Sequence, residues 1–355
     1  MTEPCIINSV APIRVCDNGG WTDTWFAERG NIFNIGVYPF VEVQIEARPR
    51  DENAGRVVLH AENYGDRYVV FPRSERHGWI HHPLLEAAID LMGVPEDLSV
   101  RISIFSEAPA GCSTGTSAAV TVALIGALDQ LSPGRMTPLE IAYAAHRVET
   151  EMLQQQSGIQ DQLCAAYGGI NYIEMFQYPY AAVSQILVPN PVWWELERRL
   201  CLVFLGRSHS SSAVHERVIH NIQAGGPEFA QLERLRECAR ASRDAVYEGD
   251  FEALGAAMVR NTEAQRALHP SLVSHEAEQV MQVAREHGAL GWKVNGAGGE
   301  GGSVTLLCGP SMGAKRAMIR EIEATNPLFQ SIPLYLSRYG LRVWSRPLNG
   351  ARNVL

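Results

Sequence analysis

Between Ala108 and Val120 the chain reads APAGCSTGTSAAV, and eleven of these thirteen residues are Ala, Gly, Ser, Thr or Cys. So little side chain leaves the backbone N–H groups accessible, and successive N–H groups at a helix start make a nest for an anion. The hydroxyls of Ser113, Thr116 and Ser117 could bond phosphate oxygens or a bound Mg²⁺. No lysine follows the glycines, so this is not a Walker A loop. Taken alone, the stretch serves equally well as a tight turn with a helix cap and small residues for close packing. Further along, VETEMLQQQSGIQDQ carries Glu149 and Asp161 on either side of the helix-breaking pair Ser157-Gly158. Two such carboxylates can converge on one cleft. Phosphoryl transfer could use one to hold Mg²⁺ and the other to orient or deprotonate the attacking hydroxyl. The alternative is that Glu149 and Glu151 are polar positions on a helix and Asp161 is an N-cap.

Two more glycine-rich stretches, NGGWTDT (18–24) and NGAGGEGGS (295–303), flank these pieces in the sequence. Glycine at that density costs conformational entropy, so a fold retains it where positive φ or close backbone approach is needed. Any one of the three loops could be a plain turn; three in one chain point to a site.

Strands and helices must position these loops. FVEVQIEAR (40–48) alternates strictly, with Val41, Val43, Ile45 and Ala47 on one face, which predicts a half-buried antiparallel strand. RVVLHAE and RYVVFP are shorter strand candidates, and LSVRISIFSE alternates again. TSAAVTVALIGALDQL is apolar nearly all round and predicts a buried helix. In TPLE, Thr137, Pro138 and Glu140 form a capping box, with a helix running on to the glutamines before Ser157. GGINYIEMF, LCLVFLG, GWKVNG, SVTLLCG, SIPLYLS and LRVWSR read as strands. Helices dominate from Ser211 to Glu286, with one more from Ser311 to Thr325. The mixture lacks regular βαβ alternation, so the expected class is α+β in two lobes, 1–190 and 191–355.

Composition excludes several function classes. The 355 residues are 46% hydrophobic, with 30 basic against 39 acidic residues and a net charge of −9. That balance disfavours nucleic acid or an anionic membrane as the main partner. Seven scattered cysteines without a CxxC or Cys/His cluster disfavour a disulfide framework or a zinc site. The first residues do not read as a signal peptide, and no apolar run is long enough to span a bilayer, so a cytoplasmic location is expected.

In this order, APIRVCDNGGWTD, PAGCSTGTSAA and KVNGAGGEGG resemble the three motifs of the GHMP kinase superfamily, over about Ala11 to Leu307. GGWTDT and GIQDQLCAAYGG are most similar to the branch holding L-fucokinase and the D-glycero-D-manno-heptose 7-phosphate kinases. Those enzymes phosphorylate an anomeric hydroxyl. The resemblance implies a ribosomal S5-like N-terminal lobe, a ferredoxin-like C-terminal lobe, ATP and Mg²⁺ as cofactors, and a small sugar as partner, free or already phosphorylated (fucose-like or a heptose 7-phosphate), that is phosphorylated at its C1 hydroxyl. It implies that Pro109, Gly111, Ser113, Thr114, Gly115, Thr116 and Ser117 wrap the ATP phosphates. Ser117 and Glu149 would be the metal ligands, and Asp161 the base facing the sugar C1 hydroxyl. Arg14 would sit beside Asp161 and the transferring phosphoryl group. Asp23 would bind sugar hydroxyls next to Gly19, Gly20 and Thr22, and the third loop, with Gly298 and Gly299, would close on the substrate. His209, in GRSHSSSAVH, is a substrate-pocket candidate or a plain helix cap.

The chain departs from the family pattern at three places. Ser113-Thr114 replaces Gly-Leu in the second motif, Glu300 replaces a glycine in the third, and Asp17-Asn18 stands where small or apolar residues are usual. Two other readings follow: a catalytically silent nucleotide- or sugar-binding sensor, or a kinase with a non-sugar alcohol acceptor. A homodimer is compatible with the sequence but not readable from it.

Overall fold

The structure is a computed structural model that describes residues 4–51, 55–75, 77–207, 212–223 and 229–348. Its first sheet is organised on two long antiparallel strands, β1 (Cys5–Asn18) and β2 (Gly30–Pro49). The expected alternation holds along β2: Val41, Val43, Ile45 and Ala47 are buried, while Glu42 and Gln44 are exposed. At 20 residues β2 is long enough to pair twice, with β5 (Leu98–Ser106) along its second half and β6 (Ile170–Gln177) along its first. β3 (Val57–Ala61) adds in parallel to β5, β4 (Asp66–Val69) forms the far edge, and β7 (Tyr180–Gln185) makes a hairpin with β6.

Helices α1 (Pro83–Met92), α2 (Thr116–Asp129), α3 (Pro138–Arg147) and α4 (Gln160–Tyr167) supply buried residues to the same core. α2 is buried on nearly every side, as its composition predicts. The capping box of α3 is present, Glu140 N–H donating to Thr137 Oγ1 and Thr137 N–H to Glu140 Oε2. The helix is shorter than expected, however. α3 ends at Arg147 and widens into a single π turn, Val148–Met152. There Leu153 N–H bonds the carbonyl of Val148, and Gln155 N–H bonds that of Glu149. Gln154 takes a positive φ of 56°, and the chain leaves the helix. Such one-turn bulges re-aim a side chain; here Glu149 is turned into the protein interior.

The second sheet is antiparallel, in the order β11 (Gln330–Ile332), β8 (Leu200–Phe204), β10 (Ser303–Leu307), β9 (Gly291–Val294). α9 (His275–Glu286) and α10 (Met312–Thr325) pack on it with their own cluster of Val280, Met281, Met318 and Ile322. α7 (Phe229–Glu248) packs on β1 and β2, and α8 (Phe251–Leu268) packs on β9 and β1, while α5 (Asn190–Arg199) gives Trp193 and Leu196 to the main core and α6 (Ser212–Gln223) lies against the turn Trp25–Ala27.

The chain then returns. β12 (Tyr335–Leu336) pairs with β2, and β13 (Arg342–Pro347) pairs with β1 from Cys5 to Val10. The expected second lobe of 191–355 therefore gives its last strands to the first sheet. The reason is the edge of β1, whose N–H and C=O groups would otherwise stay unpaired. The main core is continuous across the expected boundary as well, since Trp193, Leu196, Ala239, Val246 and Met258 belong to it.

Candidate active site

All three glycine-rich loops meet around Arg14. Two irregularities in the pairing of β1 with β2, after Pro12 and after Val15, bracket this residue. Its backbone N–H donates to Thr114 O (2.9 Å), and its side chain is buried. Nε and Nη2 reach the two oxygens of Asp161 at 2.8 and 3.3 Å, and Nη1 donates to Ser113 O at 2.6 Å. This two-pronged geometry fixes both partners. Burial pulls the guanidinium pKa down, but the carboxylates of Asp161 and Asp17 more than offset it, so Arg14 stays cationic. Asp161, in the first turn of α4, keeps 28% of its side chain exposed.

A cavity of about 530 Å³ opens on one side of this pair. Gly111, Ser113, Thr114, Gly115, Thr116 and Ser117 form one wall. Tyr64, Pro83, Leu85, Ile104 and Val120 add apolar lining, together with the polar Asn63, His82 and Ser106. Pro109 is not on the wall; its carbonyl accepts the Cys112 N–H and turns the loop. Gly115 has φ 71°, and a Cβ there would lie 3.0 Å from the Asp161 carboxyl carbon. Ser113, which stands for the family's glycine, adopts φ 58° all the same. The loop keeps the glycine-like path, at a strain of about 1–2 kcal/mol for an L-residue.

A second cavity of about 140 Å³ lies on the other side, and Arg14, Asp161, Gly296 and Ala297 line both. The second is walled by Trp21, Trp25 and Phe26 and floored by Asp17, Asp23 and Gln160. Asp23 Oδ2 accepts the Gln160 N–H at 3.0 Å, and Gly158 packs so closely that a Cβ there would collide with the carboxylate. Burial, reinforced by the nearby charge of Asp161, pushes the Asp23 carboxyl up to about 6.

Several expected contacts fall elsewhere. Gly19, Gly20 and Thr22 do not line the second cavity. They build the turn beneath it: Gly19 N–H donates to Asn261 Oδ1, and Thr22 Oγ1 donates to Gly19 O. Gly298 and Gly299 face away from both cavities, because the third loop docks through them on Leu272. Gly299 N–H bonds Leu272 O, and a Cβ on Gly298 would strike that same oxygen. Gly296 and Ala297 take the lining positions instead. Glu300 is exposed and lines neither cavity. His209 lies outside the described residues.

The two expected metal ligands are on different surfaces. Ser117 is exposed on the first turn of α2, whereas Glu149 is buried and lines neither cavity. Glu149 Oε2 accepts from Ser157 Oγ (2.6 Å) and Gln162 Nε2 (3.0 Å), while Oε1 has no hydrogen-bond partner among the described residues. Burial pushes its carboxyl up to about 7.

Sequence reasoning missed the aromatic wall and Lys293. The WTDTWF run carries the three rings directly after the glycines, which was the available signal. Lys293 sits fully buried on β9, its Nζ 3.3 Å from Asp17 Oδ1 and 3.1 Å from Gln265 Oε1. Burial lowers its pKa, though Asp17 counters that effect. Asp17 also accepts the Gly296 N–H at 2.9 Å, so it joins β1 to the third loop. Asn18 faces away, donating to Ser242 Oγ on α7.

The chain is similar to known proteins in sequence and in fold. Residues 83–169 match the family described as GHMP kinases N terminal domain, and 242–323 that described as GHMP kinases C terminal. A mevalonate kinase from Thermococcus sibiricus is 32% identical over 69% of this chain and 69% of its own length. The D-glycero-alpha-D-manno-heptose 7-phosphate kinase of Campylobacter jejuni is 26% identical over 58% of this chain, and the match spans 60% of that enzyme. A D-glycero-D-manno-heptose 1-phosphate kinase from Bacteroides thetaiotaomicron shares the fold, with a TM-score of 0.73 at 21% identity over 95% of this chain and 98% of that one. With its three loops gathered on one Arg–Asp pair and both halves matched in order, the chain belongs to the GHMP kinase family.

Proposed function

We propose that the protein transfers the γ-phosphoryl group of ATP to the anomeric C1 hydroxyl of a sugar. The observation that carries this reading is the Arg14–Asp161 pair, placed where the larger cavity meets the smaller one. The larger cavity has the size and the mixed apolar and polar lining suited to a nucleotide, and its glycine-rich wall offers N–H groups to phosphates. Asp161, held by Arg14, is positioned to orient the acceptor hydroxyl and take its proton, while the guanidinium faces the charge developing on the phosphoryl group. For Mg²⁺ the chain offers hard oxygens, the Ser117 hydroxyl on the larger cavity and the buried Glu149 carboxylate, but Glu149 lines neither cavity, so in this structure the two do not form one donor set. Bound with ATP, the cation would supply neutralisation of the phosphate charge. The Ser157 and Gln162 bonds hold the Glu149 carboxylate within the protein.

Asp161→Asn tests the reading. It should lower kcat by about 10² to 10⁴ in an ADP-release assay while the melting temperature stays near wild type. An Asn variant with near-normal turnover removes Asp161 from the chemistry. The 32% identity with a mevalonate kinase favours a second reading, a non-sugar alcohol acceptor. An acceptor panel of fucose, arabinose, galactose, mannose, heptose 7-phosphate and mevalonate, with the product's phosphate position read by phosphorus NMR, separates the two.

A further inference from the structure

We propose that Asp17 is a positioning residue for phosphoryl transfer: together with Gln265 it holds Gly296 of the third loop against the Arg14–Asp161 pair, with Lys293 as its counter-charge. The inference rests on the kinase reading of that pair. Asp17 stands where the family usually has a small or apolar residue, so membership of the family assigns it no role.

The hold is on the backbone, at both polar groups of one residue. Asp17 Oδ2 accepts the Gly296 N–H at 2.9 Å, and Gln265 Nε2 donates to the Gly296 carbonyl at 3.1 Å. The Gln265 amide is oriented from both sides, because its Oε1 accepts from Lys293 Nζ at 3.1 Å and an ammonium can only donate. The same Nζ lies 3.3 Å from Asp17 Oδ1. Lys293 therefore ties together the two side chains that grip Gly296. Lys293, Asp17 and Gln265 are each at most 1% exposed, so bulk water does not compete for these contacts. A carboxylate at that depth would be costly without its ammonium partner.

What the grip positions lies directly beside it. Gly296 has φ 63°, and a Cβ on it would lie 3.1 Å from Ser113 O and 3.4 Å from Arg14 Nη2. The third loop thus passes against the guanidinium and the second loop, and Gly296 and Ala297 line both cavities. Asp17 Oδ2 is also 3.8 Å from Arg14 Nη1, the nitrogen that donates to Ser113 O, while Nε and Nη2 stay on Asp161. One buried carboxylate thereby places the loop and stands behind the arginine. A shift of about 1 Å at such a point can cost about 100-fold in rate.

The test removes the grip without leaving a buried charge. In the double variant Asp17→Leu/Lys293→Met both charges go and apolar side chains take their space, so the melting temperature should stay near wild type. The Gly296 N–H then has no acceptor, and kcat at saturating ATP and acceptor should fall about 10- to 100-fold. A second double variant, Asp17→Asn/Lys293→Met, is equally uncharged but keeps an oxygen for that N–H, and it should recover most of the loss. Hydrogen exchange at the Gly296 amide needs no turnover: it should be slow in wild type and in the second double variant, and fast in the first. Should the first double variant fail to fold, Gln265→Met frees the Gly296 carbonyl with the Asp17–Lys293 pair intact, and should lower kcat about fivefold or more. Near-normal kcat in the folded first double variant or in Gln265→Met overturns the proposal, as does an equal loss in both double variants or a protected Gly296 amide in the first. Each of these leaves the kinase reading standing. If the wild-type protein phosphorylates no sugar or other alcohol, the kinase reading fails and the proposal with it.

Discussion

Asp23 shows at the scale of one residue what burial of a carboxyl beside the smaller cavity costs. Its carboxyl is buried against Gly158 and held up at about 6, above the ordinary value of 3.8. Between these two values the folded protein binds a proton that the unfolded chain has released. Stability therefore falls as pH rises from about 4 through 6. The shift corresponds to on the order of 3 kcal/mol lost above pH 7 in the ligand-free protein. Asp23→Asn keeps an oxygen for the Gln160 N–H and cannot ionise. It should melt at higher temperature than wild type at pH 8, with the gap closing near pH 4, and should raise KM for the acceptor. Equal melting curves at pH 8 would show that Asp23 is already neutral or well paired there. Ser113 is a second residue under tension: it holds φ 58°, where the family has glycine.

At the scale of elements, the second loop and α2 are one device. Gly115 opens α2 in a left-handed conformation, and its missing side chain leaves room for Asp161 to face Arg14. Gly115→Ala should cost about 1–2 kcal/mol in stability from the backbone alone and reduce kcat tenfold or more by displacing the carboxylate. Because both changes act through Asp161, the double variant with Asp161→Asn should be scarcely worse than Asp161→Asn itself. Additive losses in the kinetic cycle would place Gly115 in a separate role. Much of this was legible in the sequence: loop, buried helix, capping box and strand alternation all announce themselves through local pattern. The break in α3 was not, because VETEMLQQQ reads as uninterrupted helix. The π turn that buries Glu149 is imposed by tertiary contacts with Ser157 and Gln162. The facing of each glycine was equally hidden, since Gly296 and Gly298 look alike until Leu272 is known to sit beside one of them. That Trp21 and Trp25 line the smaller cavity was hidden too, since it depends on Ile219 of α6 and Ala297 of the third loop, far along the chain, lying beside them.

The whole molecule is less divisible than its two sheets suggest. β13 covers the edge of β1, and β12 extends β2, so the first sheet is completed only by the last part of the chain. Polar bonds also cross between the halves at depth. Asp17 meets Lys293, Cys16 N–H donates to Asn295 Oδ1, Asn18 bonds Ser242, and Ser303 Oγ donates to Cys112 O at 2.6 Å. Cutting the chain between the sheets would leave Lys293 and Asp17 as buried charges without partners, a far larger cost than the pair's own net worth. It would also open the main core at Trp193, Leu196 and Ala239, and bare the edge of β1 from Cys5 to Val10. Residues 1–190 and 191–355, expressed separately, should therefore each lack a cooperative thermal transition. Removing only residues 334–355 from the full chain should lower the melting temperature and promote association through the exposed edge. A 1–190 fragment that melts sharply and stays monomeric would mean that the first sheet closes without β12 and β13. The active site would then join two independently stable lobes, and the depth of the Asp17–Lys293 contact argues for a single folding unit instead.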